Sequence, residues 1–327
     1  MMTEIAINAT SVSAKIIIGP RNPPEVKTVY RNLLNIGLPS LIYSVTVKRI
    51  PITVLILTKN EELAISAAIN SVKRFDQVIV VDSNSTDSTI SIAKSLGCEV
   101  KNFVWNGQYP KKKQWAMNIP EIKHDWVLYL DADERIEISL EQEIENIFQN
   151  QIDPKISAFQ VSLDYEFLGT KLKFGHKVKK VVLLNRHQCF FPELDDLEVK
   201  NMWEVEGHYQ PQVEFDVKQL HGCIYHVDPD PLFDYFARHN RYSDWEAALH
   251  LNPQLKQIVD SHRSIQGRFF SYIPFKPILF FAYSWILKSG WRDGRAGFNY
   301  AISLAFYYWQ ISVKQQELRL IKTRFQK

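Results

Sequence analysis

The chain has 327 residues, 46% hydrophobic and 23% charged, with a net charge of +3. These values suit one large globular domain, or a medium one with an appendage, and exclude a disordered or fibrous chain. Cys98, Cys189 and Cys223 are odd in number, widely spaced and free of any Cys-x-x-Cys pair, which argues against a disulfide framework or zinc site and fits a reducing compartment. The first residues, Met1 to Ser13, show no charged region followed by an apolar run, so no secretory signal is expected.

Residues 1–48 read as an N-terminal extension, with a Pro-rich stretch from Gly19 to Pro24 and an apolar patch from Leu33 to Tyr43 of no clear period. From Ile52 the pattern sharpens. Ile52 to Leu57 is a short apolar, β-branched run, expected to be a buried strand. Asn60 is placed to cap a helix in which Ile65, Ala68, Ile69 and Val72 share a face. Gln77 to Val81 predicts a second strand ending at Asp82. Ser85 is expected to cap a second helix, which Gly97 stops. Cys98 to Val104 predicts a third strand, and Trp126 to Leu130 a fourth, ending in Asp131-Ala132-Asp133. A helix is expected over Leu140 to Phe148, short strands and loops over 155–227, and polar helix over 231–262.

Strand–helix alternation of this kind predicts an α/β fold, a mostly parallel sheet flanked by helices. Ligands in such sheets bind beyond the carboxyl ends of the strands. Thr58 to Glu62, Asp82 to Asp87 and Asp131 to Glu134 all follow strand ends, so three stretches are expected to converge on one rim.

Asp131 and Asp133 point the same way if strand geometry persists. Two carboxylates on one side suit Mg²⁺ or Mn²⁺, which would neutralise a diphosphate and ease its departure. Read alone, the pair equally caps a turn. Asp82 ends its strand where a carboxylate can accept hydrogen bonds from a base or ribose. The first strand-to-helix turn lacks G-x-G-x-x-G, and no G-x-x-x-x-G-K-[ST] is present, which argues against dinucleotide enzymes and P-loop NTPases. His226 follows an apolar run and is a candidate third metal ligand, although a lone histidine is more often structural.

Three ordered motifs, Leu57-Thr58-Lys59-Asn60-Glu61-Glu62, Val80 to Asp87, and Trp126 to Arg135, resemble family 2 glycosyltransferases. The resemblance is nearest to the bacterial branch that includes lipopolysaccharide-core β-1,4-glucosyltransferases. It covers residues 50–150 well and Gly290 to Tyr308 weakly. It implies a GT-A fold over residues 49–230, a nucleotide-diphosphate sugar donor, commonly a UDP-sugar, and inversion at the anomeric carbon. It further implies that Thr58 and Glu61 line the nucleoside pocket, that Asp82 holds the base, and that Asp131 and Asp133 meet ribose, metal and diphosphate. Lys113, in the run Lys111-Lys112-Lys113, lies where relatives carry a donor-side basic or polar helix start; a solvated charge run is the plainer reading. Inversion requires a carboxylate to take the acceptor hydroxyl's proton. Relatives place it in a later loop, often beside a histidine. Glu204, Glu206, Asp195 and Asp196 are available, and Glu206, beside Gly207 and His208, is the expected base. The order departs from the His-Glu of the nearest branch.

Residues 231–327 are expected to form a helical, aromatic and basic region. The last forty residues hold eight Lys or Arg against Asp293 and Glu317. Two charge-free, aromatic-rich stretches, 277–287 and 296–313, are too short or too polar to span a bilayer and suit helices lying on an anionic membrane surface. A packed helical pair or a dimer interface is the plainer reading. No nucleic-acid motif accompanies them. The expectation is a hexosyltransferase acting on a glycan or lipid-linked acceptor in envelope synthesis, cytoplasmic and peripheral on the inner face of the plasma membrane. The alternatives are a nucleotidyltransferase, a HAD-like phosphatase, or a non-catalytic glycan-binding protein.

Overall fold

The computed structural model describes residues 3–9, 12–18, 49–194, 196–199, 201–206, 210–253, 256–257 and 275–325. Gly19 to Pro24, Leu33 to Tyr43, Asp195, Gly207 and His208 lie outside the described residues. Residues 1–48 form one unit, in which β1 (Thr3–Ala9) pairs antiparallel with β2 (Val12–Ile18). Residues 49–327 form a second compact unit, so the C-terminal helices belong to the same body as the sheet.

The sheet of that second unit is built on β3 (Ile50–Thr58). β3 lies parallel between β4 (Phe75–Asp82) and β6 (Trp126–Asp131), and β4 in turn carries β5 (Glu99–Asn102). Beyond β6 the sheet becomes mixed: β10 (Lys179–Asn185), β8 (Ile156–Phe167), β13 (Asp216–His226) and β7 (Glu134–Ile136) complete the order. β9 (Thr170–Lys171) folds back on β8, and β11 (Cys189–Phe190) pairs with β12 (Gln212–Val213) in a separate ribbon. This is the expected α/β architecture. The long β8 and β13 replace the short strands expected over 155–227.

The unbroken apolar run of β3 follows from burial on both faces. Val54 and Ile56 pack with α1 (Ile65–Ser71), α2 (Thr89–Ser95) and α4 (Ile138–Gln149). Leu55 and Leu57 face the other way, towards Met117 of α3 (Lys112–Met117) and Trp245 and Leu249 of α5 (Leu232–Leu251). β6 divides its residues in the same manner, Leu128 and Leu130 against Val127 and Tyr129. Where β13 passes α4, Gly222 is required: a Cβ there would lie 2.5 Å from the Leu140 Cα.

Two helix starts differ from expectation. Asn60 does not cap α1, which begins at Ile65; it adopts a left-handed φ of 58°. Its N–H donates to Ser85 Oγ at 2.8 Å, and its Oδ1 accepts the Thr86 N–H at 2.8 Å. Ser85 does not cap α2, which begins at Thr89; its hydroxyl and N–H both donate to Asp82. Asn60 and Ser85 instead lace the first two strand–helix loops together. A short polar side chain bonding to nearby backbone competes with helix initiation, which is why both residues read as caps. Gly97, at φ +81°, ends α2 as expected.

The C-terminal helices are α6 (Lys276–Ala282), which runs on into a π turn (Tyr283–Leu287), a 3₁₀ turn (Gly290–Asp293), and α7 (Gly294–Phe325). α7 packs on both α5 and α6. One buried ion pair ties α5 to the loop before α3. Lys111 Nζ lies 3.1 Å from both oxygens of Asp196, whose Oδ2 also accepts the Trp245 indole N–H at 2.9 Å. Lys111 and Asp196 are 2% and 1% exposed, so the solvated-run reading of Lys111-Lys112-Lys113 fails at its first member. Lys111→Met strands a buried carboxylate. It should lower unfolding free energy by about 3–5 kcal/mol in urea denaturation, and adding Asp196→Asn should restore part of that loss.

Candidate functional site

Strand register builds the site. Thr58 stands opposite Asp82, and Leu57 opposite Asp131, so three chain segments reach one rim together. On the far side of the sheet, β13 pairs antiparallel with β7, setting His226 opposite Glu134. The Val227 N–H then donates to the Asp133 carbonyl at 2.9 Å. His226 is thereby delivered to the acids although 93 residues separate it from Asp133. A cleft of about 2150 Å³ opens above the rim. Its walls include Thr58, Glu61, Lys112, Lys113, Asp131, Asp133, Glu206 and His226, and it extends to α5 and α7.

Asp131 and Asp133 have different surroundings. Lys180 Nζ lies 2.6 Å from Asp131 and 2.9 Å from both oxygens of Glu134. Burial raises the Asp131 carboxyl, but the Lys180 and Lys113 ammonium groups overcome it and hold it at about 2. Asp131 therefore carries its negative charge with a resident cation beside it. Asp133 has none so close. The His226 ring stands beside it, with Nδ1 3.5 Å away and without a hydrogen bond. Burial pushes Asp133 up to about 6, with Asp131, Glu134 and Asp228 adding to it against the pull of His226.

Ligand atoms of Asp133, His226 and Asp228 all lie within 4.8 Å of one another. Glu61 faces the same corner. Burial, followed by Asp133, Asp230 and Asp228, pushes it up to about 8, against the nearby Arg238. Arg238 pairs with Asp228 and Asp230. Carboxylates gathered around a buried imidazole nitrogen without a hydrogen bond form a donor set of oxygen and nitrogen that fits Mg²⁺ or Mn²⁺.

The other expected residues are placed as follows. Thr58 is 2% exposed, and its Oγ1 has no hydrogen-bond partner. Asp82 is fully buried, with both oxygens accepting from Ser85, and it is not on the cleft wall. Lys112 Nζ donates to the Thr58 carbonyl at 2.7 Å; burial pulls its ammonium down to about 8, against Glu204, Asp82 and Asp131. Lys113 is likewise lowered, by burial and then Lys180. Its Nζ reaches the Glu206 carbonyl at 3.3 Å. Glu206 is 1% exposed, and its two oxygens accept the N–H groups of Lys113 and Gln114 at 2.6 and 2.8 Å. Glu206 thus binds the first turn of α3, a role that spacing alone did not reveal. Burial nonetheless raises its carboxyl.

Residues 53–205 match the model of glycosyl transferase family 2. A glycosyltransferase of Rickettsia typhi is 31% identical over 276 residues, spanning 82% of this chain and 88% of that protein. The chain is a family 2 glycosyltransferase. Its sheet, with the rim described above, is the GT-A fold expected from the motifs, and the protein is an enzyme. Family membership leaves the nucleotidyltransferase, phosphatase and non-catalytic readings without support. A lipopolysaccharide core biosynthesis glycosyltransferase, LpsC of Rhizobium meliloti, is 23% identical over 85% of this chain and 96% of its own. Among solved structures, the mannosyltransferase PcManGT from Pyrobaculum calidifontis, in complex with GDP-Man and Mn²⁺, superposes with a TM-score of 0.45 at 13% identity, covering 89% of this chain and 94% of that one. Glucosyl-3-phosphoglycerate synthase from Mycobacterium tuberculosis, with Mn²⁺ and UDP, gives 0.38 at 18% identity over 61% of this chain and 79% of that one.

Sequence reasoning missed Lys180 and the acids Asp228 and Asp230 of the glycosyltransferase. The His-x-Asp spacing of His226-Val227-Asp228 was a legible metal-ligand signal. Lys180 had none, since a lysine entering an apolar strand reads as an edge residue. Lys180→Met removes the cation from Asp131 and from Glu134, which is 1% exposed. Asp131 retains 40% side-chain exposure, so solvent trims the penalty. Unfolding free energy should fall by about 3 kcal/mol in chemical denaturation, and Lys180→Arg should recover part of it.

Proposed function

We propose that this glycosyltransferase moves a hexose from a UDP-sugar, with inversion, to a glycan or lipid-linked acceptor of the cell envelope, working at the inner face of the plasma membrane. The observation that carries the reading is the cleft corner formed by Asp133, His226 and Asp228, beside the lysines Lys112, Lys113 and Lys180. The similarity to LpsC supports an acceptor of the lipopolysaccharide-core kind. Among the described residues no helix is long and apolar enough to cross a membrane.

Asp133, His226 and Asp228 would hold Mg²⁺ or Mn²⁺. Such an ion, when bound, neutralises diphosphate charge and improves the leaving group. Asp131 is free to accept a ribose hydroxyl, because Lys180 already balances its charge. Thr58 and Glu61, both on the cleft wall, would line the nucleoside pocket. Asp82 supports that side from beneath: reaching a base itself would require Ser85 to release it. Lys113 offers an ammonium to a phosphate oxygen.

Glu206 is the proposed base. An ionised carboxylate has about four lone-pair sites, and two N–H donors leave room for a hydroxyl. A carboxyl raised by burial is better matched to proton transfer near neutral pH than an ordinary one. The acceptor oxygen bonds to C1 as the bond from C1 to the diphosphate oxygen breaks. The hydroxyl proton passes to Glu206, and UDP departs.

A radiolabelled transfer assay over UDP-, GDP- and dTDP-sugars should show turnover with a UDP-hexose, and turnover with GDP-sugars alone would contradict the donor assignment. Glu206→Gln should lower kcat by about 10²–10⁴-fold while thermal melting shows a folded protein. A lowered Tm with kcat within a few-fold of the parent would leave Glu206 as a helix cap and nothing more.

A further inference from the structure

Helix α7 has two unlike faces. Tyr300, Leu304, Tyr307 and Ile311 line the cleft. On the opposite face Phe298, Ile302, Phe306, Trp309, Val313 and Leu320 recur at intervals of three, four or seven, which sets them in one stripe. Each is at least 40% exposed. At a rise of 1.5 Å per residue the stripe is about 33 Å long. Arg295 and Arg324, both exposed, stand in line with it at its two ends.

The stripe belongs to a wider apolar surface. Trp309 stacks on Phe306 at 5.4 Å, and Phe236 of α5 meets Phe306 edge-on at 6.4 Å. Phe298 packs against Phe281 and Trp285. Leu168, Leu232, Phe236, Ile302 and Phe306 line a hollow of about 450 Å³. Leu168 and Leu232 also line the cleft, so the apolar surface reaches the cleft's edge.

A contiguous apolar surface of this extent marks a partner. Charge decides between the two evident ones. The last forty residues carry eight Lys or Arg against two acids. A second copy docking stripe to stripe would bring two such segments together, and in an antiparallel arrangement Arg295 would meet Arg324. Anionic lipid attracts the same groups. Aromatic and aliphatic side chains between terminal arginines match a helix lying in the headgroup–acyl boundary.

We propose that this face of α7, with the hollow between α5 and α7, docks on an anionic lipid bilayer and receives a lipid acyl chain beside the cleft. The opposite face of the same helix then holds the cleft at the membrane surface, within reach of a lipid-linked acceptor. The inference deepens the membrane placement proposed above and rests on it for its biological meaning. Its test reads binding and not transfer, so the two stand or fall separately.

The test is flotation of the full chain with vesicles of phosphatidylcholine alone and of phosphatidylcholine with phosphatidylglycerol. The parent should float with the anionic vesicles and much less with the neutral ones, with binding weakened by salt. The double variant Phe306→Ser, Trp309→Ser should lose about tenfold or more in partitioning. The double variant Arg295→Glu, Arg324→Glu should lose a similar amount and most of the salt dependence. Both should keep the parent's circular dichroism and melting temperature. Equal flotation of parent and variants, equal binding to neutral vesicles, or no flotation would overturn the proposal. So would a parent dimer that the Phe306 and Trp309 substitutions disperse.

Discussion

The contact on which the cleft depends is the ion cluster of Lys180 with Asp131 and Glu134. Lys180 comes from β10, Asp131 from the end of β6, and Glu134 from the start of β7. One ammonium therefore fixes the sharp passage between two strands that the motif occupies. It also divides the charge of the rim. Asp131 has Lys180 beside it and Asp228 pairs with Arg238, whereas Asp133 faces the His226 ring at 3.5 Å. A cleft whose floor was neutral throughout would have no call for a cation. In this one burial pushes Asp133 and Glu61 towards protonation, with Asp131, Glu134 and Asp228 adding to it at Asp133, and Asp133, Asp230 and Asp228 at Glu61.

The parallel half of the fold was legible in the sequence because strands buried on both faces leave continuous apolar runs. Ile52 to Leu57 and Trp126 to Leu130 stood out for that reason, and their carboxyl ends located the rim. The helix caps were misread. Asn60 and Ser85 have the chemistry of N-caps, but their hydrogen bonds run between loops, and nothing local distinguishes the two uses. β8 and β13 were under-read because charged and polar residues interrupt their apolar runs, among them Asp164, which the loop residue Lys177 neutralises only in the fold. Of the site, Asp131 and Asp133 were legible from their position after a strand. Their unequal surroundings were not, because Lys180 reaches Asp131 only through tertiary pairing.

The lysine run shows how far a local reading can stray. Three consecutive lysines suggest a solvated face. In the fold Lys111 is locked against Asp196, Lys112 against the Thr58 carbonyl, and Lys113 above the ring of Phe191 at 5.6 Å. Each is held by a different element, so the run ties the sheet rim to the loop carrying Glu206 and, through Asp196, to Trp245 of α5. The same loop gives α3 its first-turn acceptor, which ties the position of Glu206 to that of Lys113.

The central claim is that Asp133, Asp228 and His226 together hold a divalent cation. Mn²⁺ titration of the full chain in the presence of UDP, followed by electron paramagnetic resonance, tests it most directly. The account predicts one bound Mn²⁺ per chain, with affinity reduced at least about tenfold in Asp133→Asn and in Asp228→Asn. Parental Mn²⁺ affinity in both variants would contradict it.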